Sequence, residues 1–289
     1  MSKPIYLDNQ ATTPLDPAVL ESMLPYFNDK YGNAASIHHS FGHEAKDAVE
    51  KSRKIIAKEL NTSAREIIFT SGATESINLA IKGVSEKLKA KGRHIITQVT
   101  EHNAVLDTCS ALEKRGWEIT KLPVQQNGLI DPKMIEGAIR KDTVLVTIMH
   151  ANNEIGVIQP IRKIGNICKR HGVYFMVDAS QSFAKILVDA QEINIDLLAF
   201  TSHKIYGPKG IGALFIKKKN PPVDLELQID GGGHERGFRS GTLPVALIVG
   251  FGKAVKLCSQ NRDYENKRLK QYRDQLIDCL LYTSDAADE

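Results

Sequence analysis

The sequence has few cysteines and no long apolar run. Its four cysteines are scattered over 289 residues and form no CxxC pair, so neither a disulfide framework nor a structural zinc site is expected. No apolar stretch approaches the ~20 residues that a membrane span needs. The N-terminus has neither a secretory apolar region nor an Arg- and Ser-rich transit peptide. We therefore expect a cytoplasmic protein with no membrane association.

Neither positive nor negative charge is in large excess. The 38 basic and 34 acidic residues give a formal net charge of +4, spread along the chain. The short basic run at residues 217–219 is typical of a solvated strand end, so nucleic acid is not an expected partner. His38, His39 and His43 lie close together in sequence, but no cysteine or carboxylate cluster accompanies them, and we expect no metal site.

From about residue 16 to residue 217 the chain alternates helical patterns with short apolar runs. Helical spacing predicts helices over residues 47–60, 103–115 and 161–171. The apolar runs are rich in branched residues and lie at 67–69, 95–97, 144–148, 173–177, 197–200 and 212–216. Runs of this length are typical of strands buried on both faces. The alternation predicts an α/β fold with a mainly parallel central sheet.

Lys204 follows one of these predicted strands and precedes a Gly- and Pro-rich loop. A lysine at the end of a buried strand is well placed to face a cleft. Desolvation there would keep its amine partly neutral, as Schiff-base chemistry requires. On this segment alone, a simply exposed lysine is an equally good interpretation.

Asp178 and Gln181 shift that balance. Asp178 ends an apolar run, and pyridoxal 5′-phosphate (PLP) needs an anion beside its ring nitrogen. Gln181 could donate to the phenolic oxygen of the same ring. A helix N-cap is the ordinary interpretation of Asp178, and the two roles are compatible.

The run TSGATES at residues 70–76 predicts an anion site. A turn of small residues after an apolar run opens a helix there, and its backbone N–H groups and positive helix end favour an anion. Because the run lacks the lysine of a nucleotide-binding loop, a single phosphate monoester suits it better than a triphosphate. Many helix N-termini look alike, so the motif is weak by itself.

Three further segments add candidates. His102 begins a helix after a strand, where an imidazole could stack on a cofactor ring and shuttle protons, although capping or packing is the commoner role. Asn153 follows another strand and could bond the cofactor oxygen or a substrate carboxylate. The glycine-rich loop at 231–242 lacks the strand–helix context of a dinucleotide fingerprint, so NAD is rejected.

Together and in this order, these segments resemble the cysteine desulfurases of the IscS/NifS type, in the class V aminotransferase family. The resemblance runs to about Gly252 through YLDNQATTP, FTSGATES, TEHNAVLDTC, NNEIGVIQPI, HKIYGPKGIGAL and GGGHERGFRSGT, of which the last two are the most specific. It implies a PLP-dependent aspartate-aminotransferase-like fold with an incomplete small α+β domain. The implied divisions are residues 1–14 in the small domain, 15–256 in the large PLP-binding domain, 257–280 at the start of the C-terminal small domain, and 281–289 as a non-native tail.

The resemblance also implies a role for each candidate. Lys204 would hold PLP as a Schiff base, Asp178 would pair with the pyridinium nitrogen, and His102 would stack on the ring as an acid or base. Asn153 and Gln181 would contact the phenolic oxygen. The phosphate would be held by Ala73, Thr74, Thr201 and His203, with Thr242 reaching it from the partner subunit of a homodimer.

The implied reaction converts L-cysteine to L-alanine and leaves a persulfide on an enzyme cysteine, for acceptor or scaffold proteins of iron–sulfur cluster assembly. The family's nucleophilic cysteine lies in a Ser-Gly-Ser-Ala-Cys loop that this sequence does not contain, and the arginine that clamps the substrate carboxylate is also missing. Ser202 replaces a glycine near the phosphate, and Phe183-Ala184-Lys185 replaces Val-Gly-Lys. We expect the intact parent to be a desulfurase and this C-terminally truncated chain to bind PLP without turnover.

Other interpretations stay open. Selenocysteine lyases and aminotransferases use the same fold, and product analysis would separate them from a desulfurase. A non-catalytic dimerisation or scaffold-binding fragment is the alternative from a different class of function.

Overall fold

The computed structural model describes residues 4–285 of the chain, with side chains described as far as Leu281. Of the expected N-terminal segment and tail, residues 1–3 and 286–289 lie outside the described part. The helices are α1 (Pro17–Met23), α2 (Pro25–Asn28), α3 (Ser40–Glu59), α4 (Ala73–Leu88), α5 (Asn103–Glu113), α6 (Pro132–Ala138), α7 (Ile161–His171) and α8 (Val245–Asp285). The strands are β1 (Ile67–Thr70), β2 (His94–Gln98), β3 (Glu118–Leu122), β4 (Thr143–Met149), β5 (Tyr174–Asp178), β6 (Leu197–Thr201) and β7 (Gly212–Ile216).

The strands of the described chain form one sheet in the order β1-β7-β6-β5-β4-β2-β3. Neighbours from β6 to β3 pair in parallel, whereas β7 runs antiparallel to both β6 and β1. The predicted α/β fold with a mainly parallel sheet is therefore confirmed. Because β7 is antiparallel to both of its neighbours, β1 and β6 point the same way and end at the same edge of the sheet.

Helices cover both faces of the sheet, which explains why the strands read as continuous apolar runs. Phe175 and Val177 of β5 pack with buried residues of α1, α3, α7 and α8 on one face. Met176, between them in sequence, packs with α4 and α5 on the other face. Alternate side chains of one strand thus belong to two apolar layers.

The predicted elements exist, and their bounds differ in instructive places. The helix predicted at 47–60 begins earlier, at Ser40, because His39 caps it through a hydrogen bond from Gly42 N–H to Nδ1 at 3.2 Å. Strand β3 was not predicted, since its EITKL sequence lies at the sheet edge with only Leu122 buried. Helix α8 runs through residues 256 and 280, so the predicted domain boundaries fall inside one helix, and the division into domains stays a prediction.

Side chains cover the free edge of β1. Glu235, in the glycine-rich loop at 231–242, accepts the Phe69 backbone N–H at 2.6 Å. The same carboxylate forms a two-pronged ion pair with Arg53 of α3, with both N–O distances 2.7 Å. Arg53 also donates to Ile67 O at 2.8 Å, and Arg236 donates to that oxygen at 3.2 Å. The loop is therefore fastened to the outer side of the sheet.

Candidate active site

A cleft of about 720 Å³ opens at the edge where β1, β2, β4, β5 and β6 end. Parallel strands bring their carboxyl ends to one edge, which is where open α/β sheets bind ligands. Nine of the ten candidate residues line this cleft: Ala73, Thr74, His102, Asn153, Asp178, Gln181, Thr201, His203 and Lys204. The topology thus gathers residues that are widely separated in sequence.

Thr242 is the candidate that the structure places elsewhere. It lines a separate cavity of about 120 Å³ that it shares with Ser71 and Arg239. Within a single chain, Thr242 does not belong to the cleft.

Lys204 lies in a short 3-10 turn that follows β6. Its ammonium donates to Gln10 O and, at 2.8 Å, to Ala11 O. Burial lowers the pKa of Lys204, and the carboxylates of Asp178 and Asp8 only partly oppose that shift. A lysine with a lowered pKa has a larger neutral fraction, which is the form that attacks carbonyl carbon.

Asp178 is the last residue of β5 and is 3% exposed. Its Oδ1 accepts the Ser180 backbone N–H at 2.9 Å and the Ser180 hydroxyl at 2.6 Å. Burial raises the pKa of Asp178, while the Ser180 hydrogen bonds and the nearby His102 and Lys204 act against that rise. A buried carboxylate of this kind requires a cationic partner, and a protonated pyridine nitrogen would supply one.

Other residues of the cleft lining offer donors suited to an anion. Helix α4 starts at Ala73, its N-cap Gly72 has no side chain to bond the first backbone N–H groups, and Gly72, Ala73 and Thr74 all line the cleft. Burial, together with the nearby Lys204, Lys209 and Lys185, lowers the pKa of His203 to about 4. His203 is therefore neutral at physiological pH and can donate a hydrogen bond without adding charge.

His102, Asn153 and Gln181 complete the lining. His102 Nδ1 accepts the Ala104 backbone N–H at 3.1 Å, so this residue caps α5 as well as facing the cleft. Gln181 Nε2 donates to Gln10 O at 2.7 Å, and Asn153 Nδ2 lies 3.4 Å from Gln10 Oε1. The amide donors of both residues and the Lys204 amine thus converge on one small space, which Gln10 enters.

Two features of the site were not found by the sequence reasoning. Gln10, Ala11 and Thr12 line the cleft, although the N-terminal motif entered only as part of the resemblance. Glu101 lies buried beside the site, where Oε1 accepts the Met149 backbone N–H at 2.6 Å and Oε2 has no partner. Burial, reinforced by the charge of Asp178, raises the pKa of Glu101 well above its ordinary value. The signal that could have found it is an acidic residue three positions after an apolar strand and directly before His102.

Ser202, which replaces a glycine of the family pattern, and the cysteines lie away from the cleft lining. The Ser202 hydroxyl is fully buried, packs against Gly207 and has no hydrogen-bond partner, so it does not face the cleft. Cys109 and Cys168 are buried in α5 and α7, and burial raises the pKa of both thiols, that of Cys109 to about 12. Burial likewise raises the pKa of Cys258 to about 11. Over the described side chains, no cysteine lines the cleft.

Comparison with known proteins places these observations among relatives. The family model described as Aminotransferase class-V matches residues 5–285. Cysteine desulfurase IscS of Anaeromyxobacter dehalogenans (strain 2CP-C) is 53% identical over 276 residues, covering 96% of this chain and 68% of that protein. Cysteine desulfurase IscS of Pectobacterium carotovorum subsp. carotovorum (strain PC1) is 52% identical, with 96% and 69% covered.

Solved structures agree with the fold. A NifS-like protein superposes with a TM-score of 0.92 at 39% identity, covering 96% of this chain and 76% of the other. SspA in complex with cysteine superposes with a TM-score of 0.84 at 45% identity, covering 88% of this chain and 72% of the other.

In the described part of the chain, no helix combines the length and the apolar character needed to cross a bilayer.

Proposed function

Since the chain belongs to the class V aminotransferase family and, within it, to the PLP-dependent cysteine desulfurases of the IscS type, we propose that it binds PLP on Lys204 and receives L-cysteine in the same cleft. The observation that carries this proposal is the convergence of the Lys204, Gln181 and Asn153 donors in a cleft that also contains the buried Asp178. When bound, PLP supplies an electron sink for the bonding electrons released at the substrate α-carbon.

The residues present fit that cofactor at its ring. Asp178 has no paired cation among its hydrogen-bond partners and is the anion that a ring nitrogen requires. Lys204, with its lowered pKa, is the amine that would hold the cofactor. Gln181 and Asn153 would donate to the ring oxygen, and His102 would hold or move a proton on the open face of the ring.

The phosphate would lie at the start of α4. We assign its contacts to the backbone of Ala73 and Thr74 and to the side chains of Thr201 and His203. Thr242 would act from a partner subunit, because it lies outside the cleft of its own chain. A homodimer is therefore part of the proposal.

We further propose that the parent enzyme releases L-alanine, retains sulfur as a cysteine persulfide and passes it to acceptor or scaffold proteins of iron–sulfur cluster assembly. This chain binds PLP and L-cysteine without turnover, because none of its described cysteine side chains lines the cleft and the burial-raised pKa values of Cys109, Cys168 and Cys258 keep those thiols protonated. Cys109 and Cys168 as buried thiols are in keeping with a reducing compartment, and we place the protein in the cytoplasm.

The cofactor proposal is tested by adding PLP to the purified chain and recording its absorbance. A yellow band should appear, and borohydride reduction followed by peptide mass spectrometry should place the cofactor on Lys204. Lys204→Ala should abolish the reducible adduct, whereas Lys209→Ala removes the other lysine that lines the cleft and should leave it in place. A colourless protein, or an adduct on Lys209, would contradict the assignment.

Turnover and dimerisation have separate tests. L-Cysteine should change the absorbance of the loaded protein without releasing more than one alanine per chain, so sustained alanine or sulfide release contradicts the lack of turnover. Chains carrying Lys204→Ala and chains carrying Thr242→Ala should each bind PLP poorly. Mixed and reassembled, they should recover one complete site per dimer, and no recovery on mixing would refute the role given to Thr242.

A further inference from the structure

An acidic side chain stands at the phosphate end of the cleft. Glu75 lies in the first turn of α4 and lines the cleft next to Ala73 and Thr74. Its Oε2 accepts the Ser71 backbone N–H at 2.7 Å, which fixes the turn that leads into the helix. The carboxylate therefore shares the cleft end to which the phosphate of PLP has been assigned.

Arg239 pairs with that carboxylate. Its Nε donates to Glu75 Oε1 at 2.8 Å, and its terminal nitrogen lies 3.4 Å from Oε2. The two side chains are 20% and 18% exposed, so solvent screens their charges only in part. Burial alone would raise the pKa of Glu75, but the hydrogen bonds from Arg239 and Ser71 outweigh burial and lower it, which keeps the carboxylate ionised.

The loop at 231–242 is built to hold this guanidinium. Gly241 N–H donates to His234 Nδ1 at 3.2 Å and closes the loop on itself. Gly241 has φ +127°, a backbone conformation open to glycine, and a Cβ there would lie 3.0 Å from the Arg239 guanidinium. Glu235, anchored by Arg53 and Phe69 N–H, fastens the same loop to β1. Arg239 is thus presented to Glu75 by a supported backbone.

An ionised Glu75 without its partner would repel a phosphate, which carries between one and two negative charges near neutral pH. We propose that Arg239 is a positioning residue for the cofactor phosphate. By pairing with Glu75 it cancels the one fixed negative charge that the first turn of α4 places at this end of the cleft. This inference rests on the proposed function and deepens it, since it concerns the same site.

The pairing predicts an asymmetry that a purely structural ion pair would not give. Arg239→Gln leaves Glu75 ionised and should weaken PLP binding by on the order of tenfold or more. Glu75→Gln breaks the same ion pair yet removes the repelling charge, so its PLP affinity should stay within about threefold of the unmodified chain or improve. The double variant should recover most of the affinity lost in Arg239→Gln, and Arg239→Lys, which keeps the charge, should lose less than Arg239→Gln.

The experiment titrates each cofactor-free variant with PLP and, separately, with pyridoxal, which lacks the phosphate. The ratio of the two dissociation constants is the readout, because unfolded protein binds neither ligand and does not alter the ratio. The inference predicts a changed ratio in Arg239→Gln and a restored one in the double variant.

Three outcomes would overturn it. These are an unchanged ratio in Arg239→Gln, an equal loss for Arg239→Gln and Glu75→Gln, and a double variant as weak as Arg239→Gln. An unmodified chain that binds neither PLP nor pyridoxal would instead overturn the proposed function, and this inference with it.

Discussion

The buried ion pair between Arg53 and Glu235 should be among the costliest contacts to break in this fold. The side chains are 2% and 1% exposed, and Glu235 also accepts the Phe69 N–H. Arg53→Met leaves a buried carboxylate with that single donor, a change that costs about 3–5 kcal/mol in proteins generally. Since domains are stable by about 5–15 kcal/mol, the loss is a large fraction of the total.

The expected size can be stated as a melting temperature. For 289 residues the unfolding entropy is about 0.6 kcal/mol/K, so this loss lowers the midpoint of thermal unfolding by about 5–8 °C. Calorimetry or circular dichroism measures the midpoint. The double variant Arg53→Met with Glu235→Gln removes both charges, keeps an acceptor for the Phe69 N–H and should recover a substantial part of the loss, because no unpaired charge stays buried.

A surface pair provides the control. Arg162 and Glu192 form an ion pair whose side chains are more than half exposed, and Arg162→Met should leave the midpoint unchanged. The reasoning is refuted if Arg53→Met has no larger effect than Arg162→Met, or if the double variant is no more stable than Arg53→Met.

Two further predictions concern buried polar groups. Ser202→Ala removes a buried hydroxyl without a partner and should raise the free energy of unfolding by about 1 kcal/mol in denaturant titrations. Ser85→Ala removes a buried hydroxyl bonded to Ile81 O at 2.6 Å and should give no such gain, so equal effects of the two substitutions would contradict this prediction. Glu101→Ala should cost about 1–3 kcal/mol because the Met149 N–H loses its acceptor, whereas Glu101→Gln keeps an acceptor and should cost less at pH 7. Because the pKa of Glu101 is raised in the folded chain, the folded state keeps this carboxyl protonated to higher pH than the unfolded state does. The contribution of Glu101 to the free energy of unfolding is therefore complete below the ordinary carboxyl pKa and is lost as pH rises through the folded pKa. Glu101→Gln should lack that loss, and parallel curves of stability against pH for the two proteins would contradict this prediction.

Much of the sheet could be predicted because its strands are short apolar runs. Runs such as 95–97 and 212–216 mark strands that helices cover on both faces, and their bounds fall within a residue of β2 and β7. The antiparallel direction of β7 was open to prediction as well. The connection over residues 202–211 is shorter than the dozen or so residues that a parallel crossover requires. The position of β1 beside β7 could not be predicted, since nothing local in either segment specifies which strand it pairs with.

The site divides in a similar way. Lys204 and Asp178 each follow an apolar run, so the sequence alone indicates that both lie at one edge of a parallel sheet. The entry of Gln10 into the cleft and the burial of Glu101 depend on how distant segments pack, and no local pattern reports that. The pairing of Arg239 with Glu75 is of the same kind, because it joins a loop to the first turn of a helix that is far away in sequence.

The placement of β1 has a consequence for how the chain is made. Ile67 pairs with Phe215, so β1 emerges early during synthesis but waits for most of the chain before its neighbour exists. Strands that are this far apart in sequence pair slowly, because the entropy of closing a long loop is lost before any stabilising contact forms. Strand β4 pairs with both β2 and β5, and these three strands can assemble first on the nascent chain. The turn that follows β1 would then acquire its final surroundings last, and the cofactor would find its phosphate cradle only in a chain that has already passed residue 215.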